Sequence, residues 1–328
     1  MELPGLSVVI PNYNHAQYLP RCLEAIFAQS VQPQEILVID DASTDDSIQV
    51  IESYARRFPH LRLIRNERNQ GVIPTINRGL QMAAGDLFYS AAADDNILPG
   101  LFEKSLILLS QHPQAALCCS IGKWQDAVSG SVRMAGETMA DTACYLSPAR
   151  LVELETQSRL LIASQTVIIK KEALLKAGQF IPELKWFCDW FANYVAGFRE
   201  GICFVPEALT VFNTQPASYS KSGRSKKPAT RQVLRHMLEL LESDEYVDAA
   251  EPIRRSGALY LFGKPVLRVI LSRPRFWRFL TPAFLRKTLT LIARAEQKKW
   301  KRSFARRMGA RRPSVDLPQE KPPGDPPH

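Results

Sequence analysis

Two carboxylates stand side by side, Asp94-Asp95, at the end of the short apolar run Leu87-Phe88-Tyr89-Ser90-Ala91-Ala92-Ala93. The run reads as a β-strand, and Pro99, tolerated in the first turn of a helix, marks the start of the helix that follows. In an open α/β sheet, ligands bind beyond the C-terminal ends of the strands. Hard divalent cations bound together with phosphates take one or two protein carboxylates. The pair therefore suits a Mg2+ or Mn2+ site holding a diphosphate, although taken alone it reads more readily as a solvated turn. A second pair, Asp40-Asp41, closes the apolar run Ile36-Leu37-Val38-Ile39. A third acid, Asp189, lies among large aromatics in Trp186-Phe187-Cys188-Asp189-Trp190. Such a setting excludes water and raises a carboxylate's basicity toward what proton abstraction needs. The competing reading of Asp189 is a first-turn acid on an amphipathic helix whose aromatics are core.

The elements that would carry these groups alternate. Residues 6–10 form a continuous apolar, β-branched run, the mark of a strand buried on both faces. It stops at Pro11-Asn12-Tyr13-Asn14, after which Tyr18, Leu19, Cys22, Leu23, Ile26 and Phe27 repeat at helical spacing. Strands are expected at 35–39, 61–64 and 87–93, with helices between them. This alternation predicts βαβ units and a mainly parallel, Rossmann-like sheet flanked by helices. Three strands thus end in polar residues that could face one ligand. No G-x-G-x-x-G follows the first strand, and no G-x-x-x-x-G-K-[ST] occurs anywhere, so neither a dinucleotide fingerprint nor a P-loop cradles phosphate here.

Four segments in register carry a resemblance: Val8-Val9-Ile10-Pro11-Asn12-Tyr13-Asn14, Val38-Ile39-Asp40-Asp41-Ala42-Ser43-Thr44-Asp45, Asn69-Gln70-Gly71 to Asn77-Arg78-Gly79, and Ala84-Gly85-Asp86 through Asp94-Asp95. Together they make residues 6–100 resemble the donor half of a glycosyltransferase family 2 enzyme of the GT-A fold. The resemblance implies an inverting transferase that moves a sugar from a nucleotide-sugar, UDP-linked by expectation, to a hydroxyl of a saccharide or lipid-linked saccharide. In that family the loop matched by Pro11, Asn12 and Tyr13 lies against the nucleotide base, and the acid matched by Asp41 hydrogen-bonds it. A carboxylate only accepts, so it can receive the N–H of a uracil-like edge, while an aromatic ring offers a stacking face. Asp45 and Asp46 read as structural, at a helix start.

Asn69, Gly71 and Asn77 match the segment near the ribose and phosphates, with Ile76 where many members carry arginine. The resemblance assigns Asp94 to ribose or metal and Asp95 to the metal. Ala92 stands where many members have a third acid, so fewer protein ligands remain. Asp189 matches the family's general base, with Cys188 in place of the usual preceding glutamate. Near residues 211–220, where some members supply a metal-binding histidine, this chain offers Gln215, a poorer ligand that is not assigned to the metal.

The resemblance ends near residue 220, and the charge changes there. Residues 221–312 hold 24 Lys and Arg against 7 Asp and Glu, while residues 1–220 hold 17 against 23, within a formal net charge of +9. The expected organisation is a GT-A domain over 1–220, divided into a donor half (1–100) and an acceptor half (101–220), then a basic helical appendage (221–312) and a disordered proline-rich tail (313–328). Interleaved cations and aromatics in residues 273–280 suit a helix lying on an anionic membrane surface. No nucleic-acid motif accompanies the charge, so nucleic acid is not expected as a partner. The six cysteines form no C-x-x-C pair, and no secretion signal or spanning run appears. The expected location is cytoplasmic, peripheral on the inner face of the membrane. Two alternatives stay open: a non-catalytic nucleotide-sugar binding module, which would not need Asp189, and a membrane-associated scaffold acting through 221–312.

Overall fold

In the computed structural model, the chain is described over residues 3–126, 130–214 and 227–307. Gln215 and the 313–328 tail lie outside these residues. The first strand, β1 (Leu6–Asn12), is apolar at every step from Leu6 to Ile10 except Ser7, and nearly all of it is buried. Alternate side chains go to opposite faces of a strand. Leu6, Val8 and Ile10 accordingly enter one hydrophobic core, and Val9 enters the other.

β1 is flanked in parallel by β2 (Glu35–Asp40) and β4 (Leu87–Ser90), and β2 pairs in parallel with the edge strand β3 (Leu61–Arg65). The crossovers are α1 (Leu19–Phe27), α2 (Ser47–Ala55) and α3 (Val72–Met82). α3 packs closely on the sheet at Gly79, where a Cβ would stand 2.4 Å from Val9 Cγ1. The fourth strand is shorter than its apolar run predicts. It ends at Ser90, and residues 91–95 turn back toward a two-residue strand, β5 (Asn96–Ile97), before α4 (Leu101–Gln111).

Beyond β4 the sheet becomes mixed. β6 (Leu117–Asp126) is joined by β7 (Val132–Ala135), and β8 (Cys144–Leu146) leads into α5 (Pro148–Thr156). β9 (Ile168–Lys170) is inserted antiparallel between β4 and β6. It is followed by α6 (Lys171–Lys176), α7 (Cys188–Glu200) and a long strand, β10 (Ile202–Thr214). β10 runs parallel to β6 and antiparallel to β5 and β8. The spatial order is β3-β2-β1-β4-β9-β6-β10-β5. The fold class is thus the expected one: a central, mainly parallel sheet between helical layers.

The basic region forms α8 (Lys227–Leu240), α9 (Val247–Ser256), α10 (Gly263–Leu271) and α11 (Pro282–Arg307). Val233, Met237, Ile253, Val266 and Phe284 belong to the same core as Phe191 and Tyr194 of α7. One buried ion pair joins the two parts. Lys287 of α11 donates to Glu155 Oε1 of α5 at 2.5 Å and to the carbonyl of Ser256 at 3.1 Å, both side chains being almost fully excluded from solvent.

Residues 273–280 depart from the sequence expectation of a surface-lying helix. Residues 274–279 make a 3-10 turn whose Phe276 and Phe279 are core. Arg275 pairs with Glu239 and Glu242, and Arg278 with Glu242. Of the aromatics in that stretch only Trp277 is exposed, at 54%. No helix among the described residues is long and apolar enough to cross a membrane.

Candidate active site

The polar strand ends converge. A cavity of about 460 Å3 is lined by Pro11, Asn12 and Tyr13 after β1, Asp41 after β2, Asn69, Gly71 and Thr75 at the start of α3, and Asp94 after β4. Seven of the eight residues assigned to the donor from sequence therefore meet in one place. The eighth, Asn77, does not: its side chain clamps the backbone of Phe180, donating to the carbonyl at 2.8 Å and accepting from the amide at 3.2 Å. Sequence reading did not single out His15 and Tyr18, which also line the cavity.

Asp40 and Asp41 divide their work. Asp40 is fully buried and accepts from Asn12 Nδ2 (2.8 Å), the Ser43 hydroxyl (2.5 Å) and the Ser43 amide (3.0 Å), fixing the turn after β2. Ala42, next to Asp41, takes φ 60° in this turn. Asp41 accepts from Asn66 Nδ2 (2.6 Å) and from the amides of Gln70 (2.9 Å) and Gly71 (2.8 Å), which wraps the segment before α3 around its carboxylate. Gly71 has φ 88° and ψ 164°, a conformation essentially confined to glycine. Asn12 is 1% exposed, and its Oδ1 has no hydrogen-bond partner among the described residues. A buried amide oxygen left open at a cavity wall is a vacancy for a donor.

Asp94 and Asp95 are held by β10. The Asn213 amide donates to Asp95 Oδ1 and the Asn213 side chain to the Asp94 carbonyl, both at 2.8 Å. Asp94 lines the cavity, whereas Asp95 stands behind it. Burial and then the neighbouring Asp94 push the Asp95 carboxyl up to about 7. Burial and then the same two acids push the Cys22 thiol beneath them up to about 12. Two close carboxylates, one of them largely buried, form an oxygen donor set of the kind that a hard cation takes. Among the described residues no third His, Cys, Asp or Glu joins them, in keeping with Ala92 at the third position.

Asp189 is the second residue of α7, in its first turn. It accepts from the Ser164 hydroxyl at 2.6 Å and from the Trp190 amide at 2.7 Å. It lines a cavity of about 230 Å3 together with Val72, Ser90, Ser164, Trp186 and Asn193. Val72 also lines the larger cavity, so the two adjoin at the start of α3. On its other side Asp189, again with Trp186, borders a cleft of about 450 Å3 walled by Phe187, Trp190, Leu261, Phe262 and Pro265. Phe262, from the C-terminal region, packs edge-on against Phe187 and Trp190 at 4.7 and 4.8 Å. Asp189 thus sits between a mostly apolar cavity, which adjoins the one at the strand ends, and an aromatic cleft that both parts of the chain build.

Residues 7–156 match the family model described as Glycosyl transferase family 2. Over 198 residues the chain is 37% identical to the uncharacterized glycosyltransferase YibD of Escherichia coli (strain K12), covering 57% of this chain and 56% of that protein. Over 216 residues it is 30% identical to the uncharacterized protein MT1568 of Mycobacterium tuberculosis (strain CDC 1551 / Oshkosh), covering 63% and 66%. The matched part therefore spans between half and two thirds of these relatives' lengths.

Among solved structures, S. aureus TarS 1–349 in complex with UDP-GlcNAc is similar with a TM-score of 0.63 at 17% identity, over 90% of this chain and 92% of that one. The mannosyltransferase PcManGT from Pyrobaculum calidifontis, in complex with GDP-Man and Mn2+, has a TM-score of 0.55 at 17% identity, over 92% and 88%. At these identities the likeness is one of fold.

Proposed function

Through residues 7–156 the chain belongs to glycosyl transferase family 2, and on that premise we propose that it transfers a sugar from a UDP-sugar to a hydroxyl of a saccharide or lipid-linked saccharide, with inversion. The observation that carries this reading is the position of Asp189, between a cavity that adjoins the one holding Asp41 and Asp94 and the cleft of Trp186, Trp190 and Phe262. The donor's nucleoside would occupy the first cavity, with Tyr13 as stacking face and the open Asn12 oxygen, beside Asp41, accepting from the base. That solved neighbours are complexed with UDP-GlcNAc and GDP-Man supports a nucleotide-sugar in this place.

Asp94, with Asp95 behind it, would hold Mg2+ or Mn2+, which supplies neutralisation of the charge on the departing diphosphate. Asp189 takes the proton from the acceptor hydroxyl. The freed oxygen attacks the anomeric carbon on the face opposite the nucleotide, the carbon–oxygen bond to the diphosphate breaks, and UDP leaves. One displacement inverts the configuration. The acceptor's sugar ring would lie on the aromatic cleft, where the rings of Trp186 and Trp190 offer flat apolar faces. The surface that would meet an anionic membrane is α11, with Leu289 and Trp300 exposed beside Arg286 and Arg294.

Calorimetric titration of UDP, with GDP as control, in Mn2+ and then in EDTA tests the donor site. UDP should bind wild type in Mn2+, and the binding should be lost in Asp95→Ala. Asp189→Asn should keep UDP binding and lose turnover by about 10²–10⁴-fold. Turnover at the wild-type rate in that variant would remove the base assignment, and failure of both nucleotides to bind wild type would remove the donor assignment.

A further inference from the structure

A second cavity of about 460 Å3 lies on the other side of the segment that wraps Asp41. It is lined by Arg65, Arg68 and Arg78 with Gln70 and Glu67. Three guanidinium groups and one carboxylate leave it net positive, and none of the three arginines forms an ion pair among the described residues. Gathering three like charges against one counter-charge is unfavourable. The arrangement is nevertheless built into the fold at the sheet edge, where β3 ends. Arg78 is held in place: its Nη1 donates to the Arg65 carbonyl at 2.9 Å and to Asn66 Oδ1. Asn66 is buried, and its Nδ2 is bonded to Asp41 and Thr75. A guanidinium has five donors, so Arg78 keeps most of its fork for another acceptor.

We infer that Arg65, Arg68 and Arg78 form a binding site for a phosphate-class dianion, separate from the donor cavity. Guanidinium forks match the geometry of phosphate oxygens, and a multiply charged tetrahedral oxyanion offers more oxygens and more charge to several forks at once than a single carboxylate does. The volume admits a diphosphate or a small phosphate ester. The site does not depend on the transferase reading, because none of the three arginines lines the cavities around Asp94 and Asp189.

Calorimetric titration of sodium pyrophosphate into the full chain, in EDTA at low ionic strength, tests the inference. Wild type should bind, and the double variant Arg65→Ala/Arg68→Ala should bind at least about tenfold more weakly. These two side chains are exposed, so the fold is retained, and Arg78, which anchors Asn66, is left intact. Asp95→Ala should bind as wild type does, and added KCl should weaken the binding. Absence of binding to wild type at millimolar pyrophosphate overturns the site. So does unchanged affinity in the double variant, or loss in Asp95→Ala with retention in the arginine variant, which would assign the anion to the donor cavity.

Discussion

Ser164 and Asn213 do at residue scale what the acids alone cannot. Ser164 gives Asp189 one hydroxyl bond, at 2.6 Å, which sets the direction of the carboxylate. Ser164→Ala should lower kcat by about tenfold while leaving UDP affinity unchanged, read by steady-state rates against calorimetry; an equal loss in both would mean that Ser164 acts through the fold. Asp95 gives a pH prediction. Its carboxyl is raised from 3.8 to about 7, so the folded chain keeps a proton there that the unfolded chain has already lost. Its stabilising contribution is complete below about pH 4 and declines as pH rises to about 7. In EDTA the unfolding free energy of wild type, from urea titration, should fall across that window relative to Asp95→Asn, by at most on the order of 4 kcal/mol. Parallel curves for the two proteins would refute the shift.

Elements decide which residues can meet. The apolar runs of β1 and β2 were legible because strands buried on both faces need continuous hydrophobicity, and their polar ends mark the ligand side. Ser164 and Asn213 were not legible as partners. They lie 25 and 118 residues from the acids they bond, and no periodicity links them. The direction of β9 was equally hidden, because three residues carry no signal for antiparallel insertion. Residues 273–280 misled because aromatic and basic residues interleave both in membrane-lying helices and in turns that bury the rings, and the deciding acids, Glu239 and Glu242, lie at the end of α8 and just beyond it.

Gly71 is the element-scale test of the donor loop: Gly71→Ala forces a left-handed, extended conformation on a residue with a Cβ, at a cost of about 1–3 kcal/mol. Nothing lies within 4 Å of that Cβ, so strain rather than collision is the cause. UDP affinity should drop accordingly. Unchanged affinity would show that the amide of Gly71 can leave Asp41 without consequence.

At the scale of the molecule, the buried Lys287–Glu155 pair ties the C-terminal helices to α5, which closes the family-matched region. Burial pushes the Glu155 carboxyl up, to about 7, and the Lys287 ammonium down, so each depends on the other to stay charged. Lys287→Met alone should destabilise the protein by about 3–5 kcal/mol, and Glu155→Gln with Lys287→Met should recover most of it, measured by denaturant unfolding. Additive losses would show that the two are not a pair. Ending the chain at residue 226 should abolish the cooperative thermal transition, since Tyr246 and Ile253 complete the core around Phe191. A retained transition would make the C-terminal helices dispensable for folding.

The cleft beside Asp189 has walls from two parts of one chain, with Phe262 set between Phe187 and Trp190. For anyone recombining this protein with its relatives, residue 220, where the charge of the sequence changes, is therefore the wrong place to cut. A chimera joined there would inherit donor chemistry from one parent and half of the opposing wall from another, and it would stand only if Glu155 travelled together with Lys287.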